Sequence, residues 1–400
     1  MKYLSERIKS LSESETLSMS RRSRELKAKG FDVINLSIGE PDFNTPEFVK
    51  DQAKKALDEN YTHYSPVAGY PELREAIAEK LKRDNGLTYT SDQIVVSTGA
   101  KQALANVILC MVNPGEEVII PTPYWVSYRE IVKLGKGKPI YVESSVQSNF
   151  KVTAAQIEAA ITANTKLLLL NSPSNPSGAV YSFGELKSIA QVLERHPHVF
   201  VISDEIYEYI NFEGKHCSLA SFENIYDRVI VINGLSKGFA MTGWRIGYVA
   251  AHKEIAKACE KYQGQITSGT CSVAQRAAIE AFKADPKNNK DLKQMVDAFL
   301  YRRDLLLNLL NKIPGLKLNV PQGAFYVFPE VSSYFGKSFN GEKINNGEDL
   351  CNYLLNEAHV ATVPGSAFGM PQCIRLSYAA SEELLRKAME RIEKALKNLQ

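Results

Sequence analysis

Residues 199–207 read VFVISDEIY, and residues 229–237 read VIVINGLSK. Each segment is a short apolar run that is followed at once by polar side chains. Strands with one solvated face alternate apolar and polar residues, whereas strands buried on both faces are apolar throughout. The two segments therefore predict strands of a mostly parallel sheet that is covered by helices.

Strand-length and helix-length segments alternate over much of the chain. Residues 100–112 and 183–195 are amphipathic and separate strand candidates. Such alternation predicts an α/β fold with a doubly wound, mostly parallel sheet. The predicted strands are residues 93–97, 117–120, 138–142, 166–171, 199–203, 229–233 and 245–250.

The pattern changes near residue 285, where a helical stretch at 289–312 begins. Shorter strand candidates follow at 324–328, 361–363 and 373–378, and Ser381 is the predicted N-cap of an amphipathic last helix. We therefore predict two domains. Residues 48–299 would form a large α/β domain, and residues 1–47 with 300–400 a small, discontinuous α+β domain.

Composition narrows the class of protein. The 400 residues are 44% hydrophobic, and 48 basic residues against 45 acidic ones leave a net charge of +3, which argues against nucleic-acid binding. No apolar stretch approaches the ~20 residues that span a bilayer. The first residues lack the apolar core of a secretory signal, and the six cysteines are scattered. We expect a cytoplasmic protein with no membrane contact and no metal site.

Polar clusters follow four of the predicted strands, at 121–125, 171–176, 204–207 and 234–237. Ligands of open α/β sheets bind outside the carboxyl ends of the strands, so these clusters are expected at one site. A buried Asp suits a protonated ring nitrogen, and a Lys can condense with an aldehyde. Tyr and Asn can hydrogen-bond a phenolic oxygen, and a Trp can stack on an aromatic ring.

A phosphate site is predicted beside these clusters. Residues 97–100 read STGA and open a helix, whose free N–H groups and positive dipole end suit a phosphate. Ser236 and Arg245 can add a hydroxyl and a bidentate cation. An aldehyde, a pyridine nitrogen, a phenolic oxygen and a phosphate together are the functional groups of pyridoxal 5'-phosphate.

On these motifs the sequence resembles the class I aminotransferases of the pyridoxal-phosphate-dependent fold type I, most closely the prokaryotic-type aspartate aminotransferases. The resemblance covers essentially the whole chain. Its motifs are NLSIGEPDF at 35–43, Tyr64 with GYPELR at 69–74, STGAKQA at 97–103, PYWVSY at 123–128, NSPSNPSG at 171–178, SDEIY at 203–207, the segment 236–248 and RLSY at 375–378.

The resemblance implies a role for each matching residue. Lys237, which would hold the cofactor as a Schiff base, Asp204 and Tyr207 would be catalytic. Contacts to pyridoxal phosphate would come from Gly99, Ala100, Lys101, Trp125, Asn175, Asp204, Tyr207, Ser236, Lys237, Arg245 and Tyr64. Contacts to the substrate would come from Gly39, Lys101, Trp125, Asn175 and Arg375. Tyr64 would reach the phosphate of a neighbouring subunit, which implies a homodimer with shared active sites.

The implied reaction is ping-pong transfer of the amino group of aspartate to 2-oxoglutarate, a small amino acid and a 2-oxo acid. One branch of the family binds the distal carboxylate with an arginine, but residues 261–272 here contain none. The resemblance to the prokaryotic subgroup implies that a lysine, which matches Lys101, binds this carboxylate with the help of a hydroxyl near Thr16. Lys101 could instead only cap its helix, and aromatic amino acids or prephenate are alternative substrates.

Other functions compete with this interpretation. Residues 234–238 match the G-x-S-x-G motif of α/β-hydrolases, with Ser236 as nucleophile and Asp297 and His359 downstream. His196 and His198 could suggest a metal site, although a solvated loop is the more common explanation of such a pair. A lyase that shares the Lys, Asp and Arg, and a non-catalytic regulator of the same fold, are further alternatives.

Overall fold

A computed structural model describes residues 3–400. Its helices are α1 Glu6–Lys9, α2 Glu15–Ala28, α3 Glu47–Asp58, α4 Pro71–Lys80, α5 Ala100–Met111, α6 Ser127–Leu134, α7 Ala154–Ala160, α8 Phe183–Arg195, α9 Lys253–Ile266, α10 Ser272–Lys283, α11 Lys290–Leu310, α12 Gly347–Glu357 and α13 Glu382–Lys397. Its strands are β1 Ile34–Asn35, β2 Ile94–Thr98, β3 Glu117–Pro121, β4 Lys138–Val142, β5 Thr165–Asn171, β6 Phe200–Asp204, β7 Val229–Gly234, β8 Ile246–Ala250, β9 Tyr326–Val327, β10 Ser338–Phe339, β11 Glu342–Lys343, β12 Val360–Ala361, β13 Val363–Pro364 and β14 Ile374–Ser377.

The central sheet has the strand order β2-β8-β7-β6-β5-β3-β4. Strands β4, β3, β5, β6 and β7 pair in parallel, and β8 is antiparallel to both of its neighbours. Each strand predicted for this sheet forms within one residue of its predicted bounds. The predicted α/β fold with a mostly parallel sheet is confirmed.

The strands are apolar because helices cover both faces of the sheet. Val229 and Val231 of β7 pack into a core with α3, α4, α8 and α10, whereas Ile230 and Ile232 pack into a second core with α5, α6 and α9. Alternate residues of one strand thus enter different cores, and all residues of β7 are buried. Polar side chains of the sheet can therefore contact solvent or a ligand only at the ends of the strands.

The strand ends create a single polar edge. Asn171 and Asp204, the last residues of β5 and β6, are paired in register. Because β8 is antiparallel to both β7 and β2, the ends of those two strands also meet at this edge, where Gly247 pairs with both Gly234 and Ser97. Arg245, which precedes β8, consequently lies between the ends of two strands.

A further core joins the two ends of the chain. Val33, Ile34 and Leu36 pack with residues of α11, α12 and α13. Strand β1 pairs in parallel with β12, and β13, β14 and β9 form an antiparallel sheet. Ser381 accepts a hydrogen bond from the backbone N–H of Leu384 at 3.3 Å, so its predicted role as N-cap is confirmed.

The prediction of one strand at 361–363 is wrong. The chain leaves the β1 pairing after Ala361 and enters the antiparallel sheet at Val363, so two short strands meet at Thr362. The division of the chain at residue 299 stays a prediction. Helix α11 runs through that position, and Phe299 packs in the same core as Leu306.

Two further features bear on the sequence predictions. The peptide bonds that precede Pro173 and Pro176, both candidates for the cis form, are cis, as is the bond between Thr122 and Pro123. Within residues 3–400, no helix combines the length and the apolar character needed to cross a membrane.

Candidate active site

A cavity of about 390 Å³ opens at the polar edge of the sheet. It brings together almost all of the residues that the resemblance assigns to the cofactor and the substrate, with Gly99 and Tyr64 as the exceptions. The predicted residues that line it are Gly39, Ala100, Lys101, Trp125, Asn175, Asp204, Tyr207, Ser236, Lys237, Arg245 and Arg375. They come from both chain ends and from the ends of several strands.

Lys237 follows β7 and carries the amine of the site. Its Nζ donates a hydrogen bond to the carbonyl oxygen of Gly39 at 2.6 Å. Burial of the amine lowers the pKa of Lys237 to about 8, with the carboxylate of Glu40 opposing that shift. The amine is therefore neutral at lower pH than an ordinary lysine, and a neutral amine can act as a nucleophile or accept a proton.

Asp204 is the last residue of β6 and is buried. Its Oδ2 accepts a hydrogen bond from the hydroxyl of Tyr128 at 2.7 Å, and its Oδ1 accepts one from the backbone N–H of Ile206 at 3.2 Å. Burial raises the pKa of Asp204 to about 6, although both hydrogen bonds oppose the rise. A positively charged N–H partner would favour the carboxylate further.

Two tyrosines form a buried pair beside this carboxylate. The hydroxyls of Tyr207 and Tyr326 lie 2.8 Å apart and share a hydrogen bond. Burial raises the pKa of Tyr207 well above its ordinary value, so its phenol stays neutral and can donate to an oxygen acceptor. Tyr326 also crowds Gly39, since a Cβ at that glycine would collide with the Tyr326 hydroxyl.

Arg375 lies in β14 and is almost completely buried. Its Nη1 donates to Oδ1 of Asn175 at 2.9 Å, and its Nη2 donates to the carbonyl oxygen of Ser37 at 2.7 Å. The guanidinium lies 4.5 Å from the centre of the Tyr326 ring. Among the described residues, Nε of Arg375 has no hydrogen-bond partner. Such a buried cation, partnered only by neutral groups, favours an anion.

The phosphate turn, residues 98–100, connects β2 to α5. Gly99 has φ 79°, in the left-handed region that favours glycine, and a Cβ there would collide with the guanidinium of Arg245. Arg245 itself has φ 57°, which side-chain-bearing residues rarely adopt. Its Nη1 donates to the carbonyl oxygen of Thr242 at 2.8 Å. The turn thus places a cation against free N–H groups at the start of α5.

Lys101 occupies another part of the cavity wall. Its Nζ lies 4.9 Å from the centre of the Trp125 ring, a cation–π contact. Burial lowers the pKa of Lys101, and the nearby charge of Arg245 lowers it further. Thr16, the hydroxyl residue considered with Lys101, lines the same cavity near the start of α2.

Tyr64 lies outside this cavity and is 99% exposed. Its predicted contact with a neighbouring subunit therefore stays a prediction. A second cleft, of about 630 Å³, opens beside the phosphate turn and is lined in part by Thr98, Arg245 and Thr270.

The hydrolase and metal-site interpretations find no assembled site within residues 3–400. Asp297 lines a separate cleft, and His359 packs 4.9 Å from the ring of Phe31, so neither joins Ser236 at the cavity. His198 contacts the carbonyl oxygen of Thr162 at 3.1 Å. Groups of three or more potential metal-ligating side chains are absent from this part of the chain.

Sequence reasoning gave no role to Tyr128, Tyr326 or Asn171, which also line the cavity. Tyr128 was visible as the last residue of the PYWVSY motif, and Asn171 as the first residue after an apolar run. Tyr326 lies within a predicted strand, where an aromatic residue is ordinary. Nothing in the local pattern distinguishes it from a core tyrosine.

Comparisons with known proteins place the chain in a family. The model of the family described as aminotransferase class I and II matches residues 32–392. A bifunctional aspartate aminotransferase and glutamate/aspartate-prephenate aminotransferase from Petunia hybrida is 46% identical over 98% of this chain and 82% of its own length. The crystal structure of the aspartate aminotransferase from Rhizobium meliloti has a TM-score of 0.95 at 46% identity, with 99% of each chain covered. The aspartate aminotransferase from Thermus thermophilus with maleate has a TM-score of 0.93 at 41% identity, with 99% of this chain and 100% of that chain covered.

The lowered pKa of Lys237 predicts a distinct labelling profile. Reductive methylation of the cofactor-free chain with formaldehyde, followed by peptide mass spectrometry, should give a rate at Lys237 that rises to half its maximum near pH 8. Lys54 provides the control in the same sample, because the Asp51 carboxylate raises its pKa. A profile at Lys237 that coincides with that of Lys54 would contradict the prediction.

Proposed function

The chain belongs to the class I and II aminotransferases, and on that premise we propose that it transfers the amino group of aspartate to 2-oxoglutarate with pyridoxal 5'-phosphate as cofactor. The observation that carries the proposal is the convergence of Lys237, Asp204 and Arg375 on one cavity. An amine of lowered pKa, a buried carboxylate and a buried guanidinium are together the groups that this chemistry requires.

The donor set of the cavity fits pyridoxal phosphate. The phosphate turn and Arg245 would hold the phosphate, Asp204 the ring nitrogen, and Tyr207 with Asn175 the ring oxygen. Trp125 would stack on the ring, and Lys237 would be the point of attachment. When bound, the cofactor supplies an aldehyde that reacts with amines and a ring that withdraws electrons from the substrate's Cα.

Each of the cavity residues would have a separate role in the reaction. Arg375 binds the α-carboxylate through a bidentate interaction, assisted by the backbone of Gly39, and so fixes the orientation of the Cα–H bond. Nζ of Lys237 would accept the Cα proton and then donate it to the former aldehyde carbon of the cofactor, because the amine of this lysine is partly neutral near pH 8. The carboxylate of Asp204 holds a proton on the ring nitrogen. The neutral phenol of Tyr207 donates to the ring oxygen.

A coupled assay for oxaloacetate formation from aspartate and 2-oxoglutarate tests the proposal. Lys237→Ala should lower kcat by about 10²-fold or more, because the proton acceptor is lost. Arg375→Lys should mainly raise KM, since an ammonium cannot reproduce a bidentate clamp. Lys54→Ala, at an exposed position, is the control and should leave turnover unchanged. Absence of turnover in the cofactor-loaded wild type, or full activity of Lys237→Ala, would contradict the proposal.

Lys101 is proposed to bind the distal carboxylate of aspartate, with the hydroxyl of Thr16 nearby. The support is a cation in the cavity wall besides Arg375, Arg245 and Lys237, together with relatives named for aspartate and a related structure that was determined with maleate, a dicarboxylate. Transfer involving prephenate is a second candidate, because a relative named for that activity matches nearly the whole chain.

Lys101→Ala tests whether Lys101 binds the distal carboxylate. It should raise KM for aspartate by about tenfold or more, because a charge-assisted bond to the distal carboxylate is lost. KM for an aromatic amino acid should change little, and Lys101→Arg should restore part of the aspartate affinity. An unchanged KM for aspartate would mean that Lys101 serves only the start of α5.

A homodimer with shared active sites is also proposed. Tyr64 is 99% exposed, and the apolar side chains of Leu17 and Ile266 are 64% and 62% exposed. Large apolar side chains that are exposed in one chain are available for burial against a partner subunit. The cleft beside Arg245 provides a route by which Tyr64 of the partner subunit would reach the phosphate.

Complementation between inactive chains tests this arrangement. Tyr64→Ala and Lys237→Ala should each be poorly active at low cofactor concentration. Mixing the two should restore activity, because a mixed dimer has one site with its own Lys237 and Tyr64 of the partner subunit. Mixing Lys237→Ala with Arg375→Lys is the control and should restore nothing, since Lys237 and Arg375 line the same cavity of one chain. No recovery in the first mixture would contradict the shared site.

A further inference from the structure

A buried glutamine lies behind the phosphate turn and makes four hydrogen bonds. Oε1 of Gln263, on α9, accepts from the hydroxyl of Ser97 at 2.6 Å and from Nδ2 of Asn106 at 2.9 Å. Its Nε2 donates to the carbonyl oxygens of Val67 at 2.8 Å and of Val96 at 2.9 Å. The side chain has no exposed surface, and both donors and both acceptor positions of its amide are used.

These four bonds connect Gln263 to three segments: the strand and the helix that flank the phosphate turn, and a nearby loop. Ser97 and Val96 belong to the end of β2, and Asn106 lies on α5, whose first residue is Ala100. Val67 lies in the loop between α3 and α4, residues 59–70, which also contains Tyr64. One amide therefore fixes the strand that enters the turn, the helix that leaves it and the loop proposed to reach a partner.

The turn has little room to absorb a displacement. A Cβ at Gly99 would collide with Arg245, and a Cβ at Gly247 would collide with the backbone of Ala100. Because the neighbouring strand and guanidinium are in such close contact, a shift of β2 or α5 changes where the N–H groups of the turn point. A phosphate site built from backbone N–H groups depends on that direction.

We propose that Gln263 is a positioning residue for the phosphate of the cofactor, an inference that rests on the proposed function. It holds β2 and α5 in the relative placement that aims the N–H groups of the phosphate turn at one point. Loss of its hydrogen bonds should therefore weaken binding of the phosphate group more than binding of the ring.

Gln275 offers a matched comparison on α10. It is equally buried, accepts from the backbone N–H of Tyr70 at 2.9 Å and donates to the hydroxyl of Ser65 at 2.9 Å. Its further bond is to the carbonyl oxygen of Thr270 at 2.9 Å. Within residues 3–400 it makes no hydrogen bond to β2 or α5, and it reaches the turn only indirectly, through Thr270, whose hydroxyl accepts from that of Thr98 at 3.2 Å. It therefore anchors the loop of Tyr64 and does not bond the turn itself.

The experiment compares dissociation constants for pyridoxal phosphate and for pyridoxal, which lacks the phosphate, by titration of the cofactor-free full chain. Gln263→Met keeps the side-chain length and removes the hydrogen bonds. It should weaken binding of pyridoxal phosphate by about tenfold or more while changing pyridoxal affinity by less than about twofold. Gln275→Met should lower the melting temperature but leave the ratio of the two constants near that of the wild type.

Ser97→Ala removes only one of the four bonds and provides the test if Gln263→Met does not fold. It should shift the ratio in the same direction by a smaller factor. Equal weakening of both ligands by the folded variants, or the same selective loss in Gln275→Met, would overturn the inference. A wild-type chain that binds neither ligand would instead overturn the proposed function, so the two failures are distinguishable.

Discussion

The burial of the central sheet on both faces is the constraint on which the rest of the molecule depends. Alternate side chains of β7 enter two different apolar cores, and no charged side chain lies along that strand. An uncompensated charge there would cost several kcal/mol. Charged and polar groups consequently collect where the strands end. Asp204 is the last residue of β6, and Lys237 lies three residues beyond the end of β7.

The same removal of water sets the acid–base properties of the site. Burial disfavours the charged form of either group, so it lowers the pKa of Lys237 to about 8 and raises the pKa of Asp204 to about 6. Hydrogen bonds from Tyr128 and the backbone of Ile206 limit the rise at Asp204. The site thus contains a partly neutral amine and a carboxyl group that stays largely ionised at neutral pH.

Long-range contacts close the cavity around these groups. Arg375 of β14 donates both to the carbonyl of Ser37, near the start of the chain, and to Asn175, which follows β5. The core that joins the two chain ends holds both β14 and the residues next to Ser37. The substrate side of the site therefore depends on packing between segments that are separated by 338 residues.

The sequence by itself determined the strands of the central sheet to within one residue, because burial on both faces imposes continuous apolar runs that are visible locally. It also indicated most of the polar residues of the cavity, since these follow a strand end or lie in a recognisable motif. Tertiary structure alone decided how these residues are held. Tyr128 reaches Asp204 across 76 residues, Tyr326 reaches Tyr207 across 119, and Gln263 reaches Ser97 across 166. Such bonds depend on how elements pack, and a buried Tyr or Gln looks the same in sequence whether or not it holds a functional group.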